Sequence, residues 1–341
     1  MSDNQPLSDD RPLSEDRLLS DDRQPPVLVT RRLAPGVVER LAPSCAVTQH
    51  DDDRPMGRAE LLEAVHGRAA VITTLDDVVD DEFLDAAGPA LRIVANHAVG
   101  THNIDLAACA RRGVPVSNTP GVLTAATADL AWALLLAAAR RIGEGERLLR
   151  SGRPWAWAPT FLLGMELAGT PLGILGMGRI GQAVARRAAA FDMPVGYHNR
   201  TPLPAEQADG SQWLPLDELL ARSMVLVVTC PLTDGTRHLL NAERLAQLPP
   251  GAVVVSMTAG VVDELALAAA LDLGALSAAA VDNFEHEPAV PPELLAQERA
   301  VLVPHLGSAT VRTRQAMGGL AVDNVLAVLA GAAPLTPVRP A

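Results

Sequence analysis

Residues 171 to 199 read PLGILGMGRIGQAVARRAAAFDMPVGYHN: an apolar run, the segment Gly176-Met177-Gly178-Arg179-Ile180-Gly181, an amphipathic stretch and a second apolar run. A strand that turns this tightly into a helix and is followed by another strand is a βαβ unit, and such units build parallel sheets covered by helices. In this turn the first glycine permits the bend, the second lets a pyrophosphate approach the backbone, and the third lets the helix pack close to the strand. Free N–H groups and the positive dipole end of the helix starting near Arg179 attract the phosphates. The segment therefore predicts a dinucleotide site formed by Gly176, Gly178, Arg179, Ile180 and Gly181.

An NAD site usually carries an Asp or Glu about 20 residues further on, which holds the ribose 2′-hydroxyl and repels a 2′-phosphate. His198, Asn199, Arg200 and Thr201 occupy that place. No carboxylate stands there, and Arg200 offers a planar, permanently charged fork suited to phosphate. The residues favour NADP, with NAD as the alternative, and make Asn199, Arg200 and Thr201 adenosine-side candidates.

A chain of 341 residues is too long for one ordinary core and suits two domains. Its longest apolar run, residues 130 to 139, falls far short of the roughly 20 residues that span a bilayer. The acidic N-terminal stretch lacks the basic and apolar regions of a signal peptide, so a cytoplasmic location is expected. A net charge of -12 argues against a nucleic-acid surface. Cys45, Cys109 and Cys230 are odd in number and widely spaced, which fits free thiols better than disulfides or a metal site. All 28 basic residues are arginine, which excludes a lysine Schiff base and a P-loop lysine.

Residues 6 to 23 repeat PLSDDR, PLSEDR and LLSDDR, units too short for a solenoid, and residues 1 to 26 are expected to form a disordered acidic tail. From Val27 short apolar runs alternate with helical stretches: PVLVT, CAVTQ, AAVITTL, LRIVAN and VPVSN, then after the glycine segment PVGYHN, MVLVVTC, AVVVSM, LSAAAV and VLVPH. Two doubly wound parallel-sheet units follow from that rhythm. Between them, residues 124 to 141 are rich in Ala and Leu on nearly every face, which predicts a helix buried between domains or subunits. Another helical stretch, from Ala309 to about Pro334, is placed to return to the first unit.

Several of these segments together resemble the D-isomer-specific 2-hydroxyacid dehydrogenase family, in particular its bacterial glyoxylate and hydroxypyruvate reductases. The resemblance covers roughly Val27 to Pro334. It is carried by NHAVGTHNIDL (96 to 106), GVLTAATADLAWALLLAAARR (121 to 141), WAPTFLLG (157 to 164), the glycine loop with its YHNRT sequel, VVDELALAAAL (261 to 271), FEHEP (284 to 288) and PHLGSAT (304 to 310). It implies a Rossmann coenzyme domain (119 to 307) inserted into a split, flavodoxin-like substrate domain (27 to 118 and 308 to 341), and a homodimer. It further implies hydride transfer between NADP and C2 of a small 2-oxo acid in the cleft between domains. His305 matches the family's proton donor and Glu287 the carboxylate that orients it. That pairing suits the chemistry, because a neighbouring carboxylate raises an imidazole pKa toward neutrality. The Val99 and Gly100 backbone amides resemble the family's substrate-carboxylate cradle, and Asp282 is carried over on the coenzyme side. His102 and Asn103 beside the cradle read equally as structural or functional.

One departure affects the chemistry directly. The family's arginine in the segment before Val261-Val262-Asp263-Glu264 is Thr258 here, and Ala259 replaces the glycine after it. A threonine hydroxyl gives one neutral hydrogen bond where a guanidinium gives a charged, two-pronged one. Losing such a donor typically costs about 2.7 to 4 kcal/mol of transition-state stabilisation. Three explanations stand: another arginine, Arg312 first, reaches the site; the substrate is a non-standard carbonyl or imine; or the protein senses NADP(H) without turnover. Asn283, where the family commonly has an apolar residue, is a second departure.

Overall fold

The structure, a computed structural model, describes residues 24 to 339, so the repeats of the acidic tail lie outside the described residues. The first sheet contains β1 (Pro26–Val29), β2 (Ala46–Gln49), β3 (Ala70–Thr73), β4 (Ile93–Asn96), β5 (Val116–Ser117) and β13 (Pro337–Val338), in the order β13-β5-β4-β3-β1-β2. The second contains β6 (Leu172–Leu175), β7 (Val195–His198), β8 (Gln212–Trp213), β9 (Val225–Val228), β10 (Ala252–Ser256), β11 (Leu276–Val281) and β12 (Ala300–Leu302). Its order is β12-β11-β10-β9-β6-β7-β8. The second sheet thus interrupts the first in sequence, and the fold is a Rossmann domain inserted into a split α/β domain. Among the strands of the described residues only β13 runs antiparallel, against β5.

Most of these strands are runs of small and β-branched apolar residues buried on both faces, such as AVIT in β3 and VLVV in β9. Helices covering both faces of a parallel sheet select such runs over alternating ones. The two-residue strands β8 and β13 escape the sequence reading.

The helix Thr124–Ala139 crosses from the first unit to the second. Its buried residues include Ala128, Ala131, Trp132, Leu135 and Ala138, while only Ala125, Asp129 and Ala133 along it are exposed. The Trp132 indole N–H donates to the Val184 carbonyl at 3.1 Å, and its ring stacks on Phe191 with centroids 4.4 Å apart. The chain's own sheet and the helix Arg179–Ala188 therefore cover most of this segment, where its sequence left domains or subunits open as the cover. The helix Val311–Leu329 is capped by Thr310, whose hydroxyl accepts the Thr313 N–H at 3.1 Å. It returns to the first sheet, burying Ala321, Val322 and Val325 against Val27, Ile72 and Ile93.

In the second sheet β6 has β7 on one side and β9 on the other, so the strand order reverses there. Ligands of doubly wound sheets bind at this switch point, beyond the carboxyl ends of the strands. The carboxyl ends of β10, β11 and β12 continue along the same edge.

Candidate active site

The glycine loop leaves β6 with Gly176 at φ +101°, a conformation that L side chains rarely adopt. A Cβ at Gly176 would lie 2.3 Å from the Cys230 amide nitrogen at the end of β9, and one at Gly181 would lie 2.4 Å from the Gly176 carbonyl oxygen. These contacts explain the first and third glycines. Gly178 faces open space and precedes the helix Arg179–Ala188, whose first N–H groups have no side-chain cap. An uncapped helix start beside a bare backbone is the seat a pyrophosphate needs. Ile180 is partly buried against the core.

Asn199 reaches back into this loop, its Oδ1 accepting the Met177 N–H at 2.7 Å while its carbonyl accepts the Trp213 indole N–H at 3.0 Å. The expected coenzyme-side residue is thus a brace of the loop. Arg179, Arg200 and Thr201 are exposed, and none of their side chains has a hydrogen-bond or ion-pair partner among the described residues.

Three adjacent strand ends deliver the remaining groups. β10 leads into Thr258, β11 into Asp282 and Asn283, and β12 into His305. The His305 Nδ1 lies 2.9 Å from Glu287 Oε2, and the Glu287 Oε1 accepts the Phe284 N–H at 2.9 Å. His305 sits at φ +52°. Its N–H donates to the Asp282 carbonyl at 2.9 Å, and the two Asp282 carboxylate oxygens accept the Leu306 and Gly307 N–H groups at 2.6 and 3.0 Å. Asp282 is only 1% exposed. Within the protein Asp282 anchors the histidine loop through both its carboxylate oxygens.

Desolvation of the cleft pulls the His305 imidazole down, but the hydrogen bond and charge of Glu287, helped by Asp282, outweigh it and the net direction is upward. Burial likewise pushes the Glu287 carboxyl up, and the bond to His305 holds it below its ordinary value. The pair favours imidazolium beside carboxylate, the state a proton donor requires near neutral pH.

On the first sheet's side, the loop after β4 is held by its carbonyls. Asn96 Nδ2 donates to Gly100 O at 2.9 Å, and Asn118 Nδ2 to Val99 O at 2.8 Å. The N–H groups of Val99 and Gly100 have no backbone acceptor among the described residues, and both residues are exposed. Two free amides at a cleft mouth suit a carboxylate. Asn103 is buried, its amide donating to Thr74 O and Asp77 O at 2.9 Å each, a structural use. Partial desolvation lowers His102; Glu287 opposes this and the charge of His305 adds to it, so His102 lies within the field of the pair.

A second arginine, Arg314, bears on the fork missing at Thr258. Arg312 is exposed, whereas Arg314 is half-buried, and its guanidinium has no hydrogen-bond or ion-pair partner among the described residues. Desolvation lowers the Arg314 pKa against the pull of Asp282. The Arg314 charge joins burial in driving His97 down to about 4, and it also acts on His305. The Arg314 charge is thus felt by His97 of one sheet and by Asp282 and His305 of the other, and it replaces Arg312 as the arginine to consider. Helical spacing explains the difference: position 314 shares a face with buried Met317, Gly318 and Ala321, and position 312 does not. Among the described residues no group of three His, Cys, Asp or Glu side chains is arranged to hold a metal.

A glycine loop at a switch point and a His–Glu pair on neighbouring strand ends are the parts of a dinucleotide-dependent dehydrogenase. The family profile described as "D-isomer specific 2-hydroxyacid dehydrogenase, NAD binding domain" matches residues 132–307. A glyoxylate reductase of Thermococcus onnurineus is 44% identical over 322 residues, covering 93% of this chain and 96% of that protein. Among solved structures, a Thermus thermophilus protein superposes with a TM-score of 0.87 at 45% identity, covering 92% of this chain and 99% of that one. An NADPH-dependent glyoxylate/hydroxypyruvate reductase of Sinorhizobium meliloti, solved with NADP and malonate, has a TM-score of 0.80 at 35% identity, covering 92% and 97%. The chain belongs to the D-isomer-specific 2-hydroxyacid dehydrogenase family. It is a glyoxylate reductase-like oxidoreductase with a dinucleotide-binding domain.

Proposed function

We propose that this protein is an NADPH-dependent reductase of small 2-oxo acids, with glyoxylate and hydroxypyruvate as its substrate class. The observation that carries this reading is the His305–Glu287 pair at 2.9 Å, at the strand ends of the sheet that bears the glycine loop. In this reading the Val99 and Gly100 amides and Arg314 receive the substrate carboxylate. His305 Nε2 gives its proton to the carbonyl oxygen and is left neutral, while Glu287 keeps Nδ1 protonated and the ring fixed. Thr258 offers one neutral hydrogen bond from β10. The reduced coenzyme supplies the hydride to C2 when bound along Gly176, Gly178, Arg179, Ile180 and Gly181.

The preference for NADP rests on Arg200 and Thr201 without a carboxylate beside them, and on Arg179 equally free at the helix start. The Sinorhizobium relative, solved with NADP, supports it. Residues 119 to 307 are taken as the coenzyme domain and residues 27 to 118 with 308 to 341 as the substrate domain.

A homodimer is part of the same reading, now on a different surface. Beyond the helix Ile142–Arg150, which exposes Ile142 and Leu149, the segment 152 to 164 exposes Trp155, Trp157, Phe161 and Leu163, with Trp157 78% accessible. Several large apolar side chains exposed on one segment call for a partner, and a second copy supplies an equal set. No helix of the described residues is long and apolar enough to cross a membrane. Three buried free cysteines are compatible with the cytoplasmic location proposed here.

Thr258 favours a second reading, in which the carbonyl or imine substrate lacks the usual carboxylate. Initial rates with NADPH and NADH on glyoxylate, hydroxypyruvate and bulkier oxo acids test both. NADPH turnover of the small acids supports the proposal, turnover confined to carbonyls without a carboxylate supports the second reading, and NADPH binding without any turnover leaves a sensor.

A further inference from the structure

Asn283 occupies a place where the family commonly has an apolar side chain, and it touches the catalytic histidine. Its amide Nδ2 lies 2.9 Å from His305 Nε2 and 3.3 Å from Nδ1. Since Nδ1 already bonds to Glu287, Nε2 is the nitrogen left to meet a substrate. When His305 is protonated, Nε2–H is a donor, and the amide NH₂ is a donor as well. The two distances set the amide beside the ring, well off the line of Nε2–H, so it makes no bond with that proton and its own N–H groups are left to an oxygen that meets Nε2–H off-axis.

The strand register supplies an independent reason. Ser256 of β10 pairs with Val281 of β11, so Thr258 and Asn283 each lie two residues beyond the same rung. The position that has lost a donor and the position that has gained one are therefore neighbours on adjacent strand ends.

We infer that Asn283 is a catalytic residue whose side-chain amide donates a hydrogen bond to the substrate's carbonyl oxygen beside the His305 Nε2 proton, taking over the polarisation that an arginine at position 258 would provide. This deepens the reading given under Proposed function and rests on it. The amide keeps both its protons throughout; the oxygen receives its proton from His305 alone. A fixed neutral donor aimed at a developing oxyanion needs no charge to be effective, since removing one of this kind typically lowers kcat by about 100- to 1000-fold. It cannot grip a carboxylate, which leaves that task to the Val99 and Gly100 amides and Arg314.

Two substitutions test the inference. Asn283→Val restores an apolar side chain, and Asn283→Asp keeps the shape and the acceptor but removes the donor. Steady-state glyoxylate reduction with NADPH is followed across pH for both variants and the unsubstituted protein, with NADPH affinity read from fluorescence titration and folding from the melting temperature. Both variants are expected to lose about 100-fold in kcat while binding NADPH within about twofold of the unsubstituted protein, and the alkaline limb of the Asn283→Val profile should not move to lower pH. Unchanged kcat in Asn283→Val overturns the inference. So does an active Asn283→Asp, or an Asn283→Val profile shifted to lower pH with kcat preserved in acid, because either result means that the amide oxygen accepts from Nε2–H and only positions the ring. If the unsubstituted protein binds NADPH but does not reduce glyoxylate or hydroxypyruvate, the functional reading itself fails, and the role given to Asn283 fails with it.

Discussion

Asn199 Oδ1 accepts the Met177 N–H at 2.7 Å, so the residue at the end of β7 braces the glycine loop and leaves Arg200 exposed beside it, without a partner among the described residues. An arginine without an acidic partner contributes binding energy only to a ligand that brings negative charge. Arg200→Ala is expected to weaken NADPH about 10- to 100-fold, the value of a charged hydrogen bond, and to leave NADH nearly unchanged. Asn199→Asp keeps the acceptor for Met177 and adds the missing carboxylate, so it should move the preference toward NADH. Fluorescence titrations with both coenzymes check this; equal affinities in the unsubstituted protein would contradict it.

The direction of the His305 shift sets the pH behaviour. Reduction requires the imidazolium, and Glu287 holds its pKa above the ordinary 6.5. Reductive kcat/KM should therefore be full in acid and fall as pH rises through a value above 6.5, with the oxidative direction showing the opposite slope. Glu287→Gln removes the group that raises the pKa, so its fall should come at lower pH and turnover at neutral pH should drop. An unshifted profile in Glu287→Gln would remove Glu287 from the unit.

The strand alternation, the glycine turn and the identity of the His and Glu were legible because each depends on local spacing or on a long motif. What was not legible depends on partners far away in sequence. Asn199 also braces the glycine loop through Met177 and Asp282 also anchors the histidine loop, roles that no spacing along the chain announces. The helix Thr124–Ala139 is apolar on most faces because a sheet and a helix of the same chain cover them, a fact its own sequence does not contain. Arg314 was within reach: the helical period from Thr310 onward puts it on the buried side with Met317 and Ala321, and Arg312 on the outer one.

Thr258→Arg should return a charged fork to β10. Because Asn283 already serves the carbonyl oxygen, the gain expected in kcat/KM for glyoxylate is about tenfold, a fraction of a full oxyanion donor, since Ala259 replaces the glycine that lets the family's arginine settle. The same substitution in an Asn283→Val background should restore more, because there the arginine stands in for the amide donor that has been removed. Steady-state kinetics of the four proteins measure the coupling; strictly additive effects would mean that positions 258 and 283 do not share a task.

The apolar segment 152 to 164 predicts association. Light scattering at micromolar concentration should give twice the chain mass, and Trp157→Asp, placed on its most exposed aromatic residue, should give a monomer with an unchanged Rossmann core. A monomer in the unsubstituted protein would contradict the assignment.

Turnover of glyoxylate with NADPH in the unsubstituted protein and in His305→Ala, measured beside NADPH affinity on the same samples, bears most directly on the account. Loss of a general acid should lower kcat by about 100- to 10,000-fold while the glycine loop binds NADPH as before. The double substitution with Glu287→Gln should be little worse than His305→Ala alone, as for residues that act as a unit. A His305→Ala protein that reduces glyoxylate at the unsubstituted rate would contradict the account.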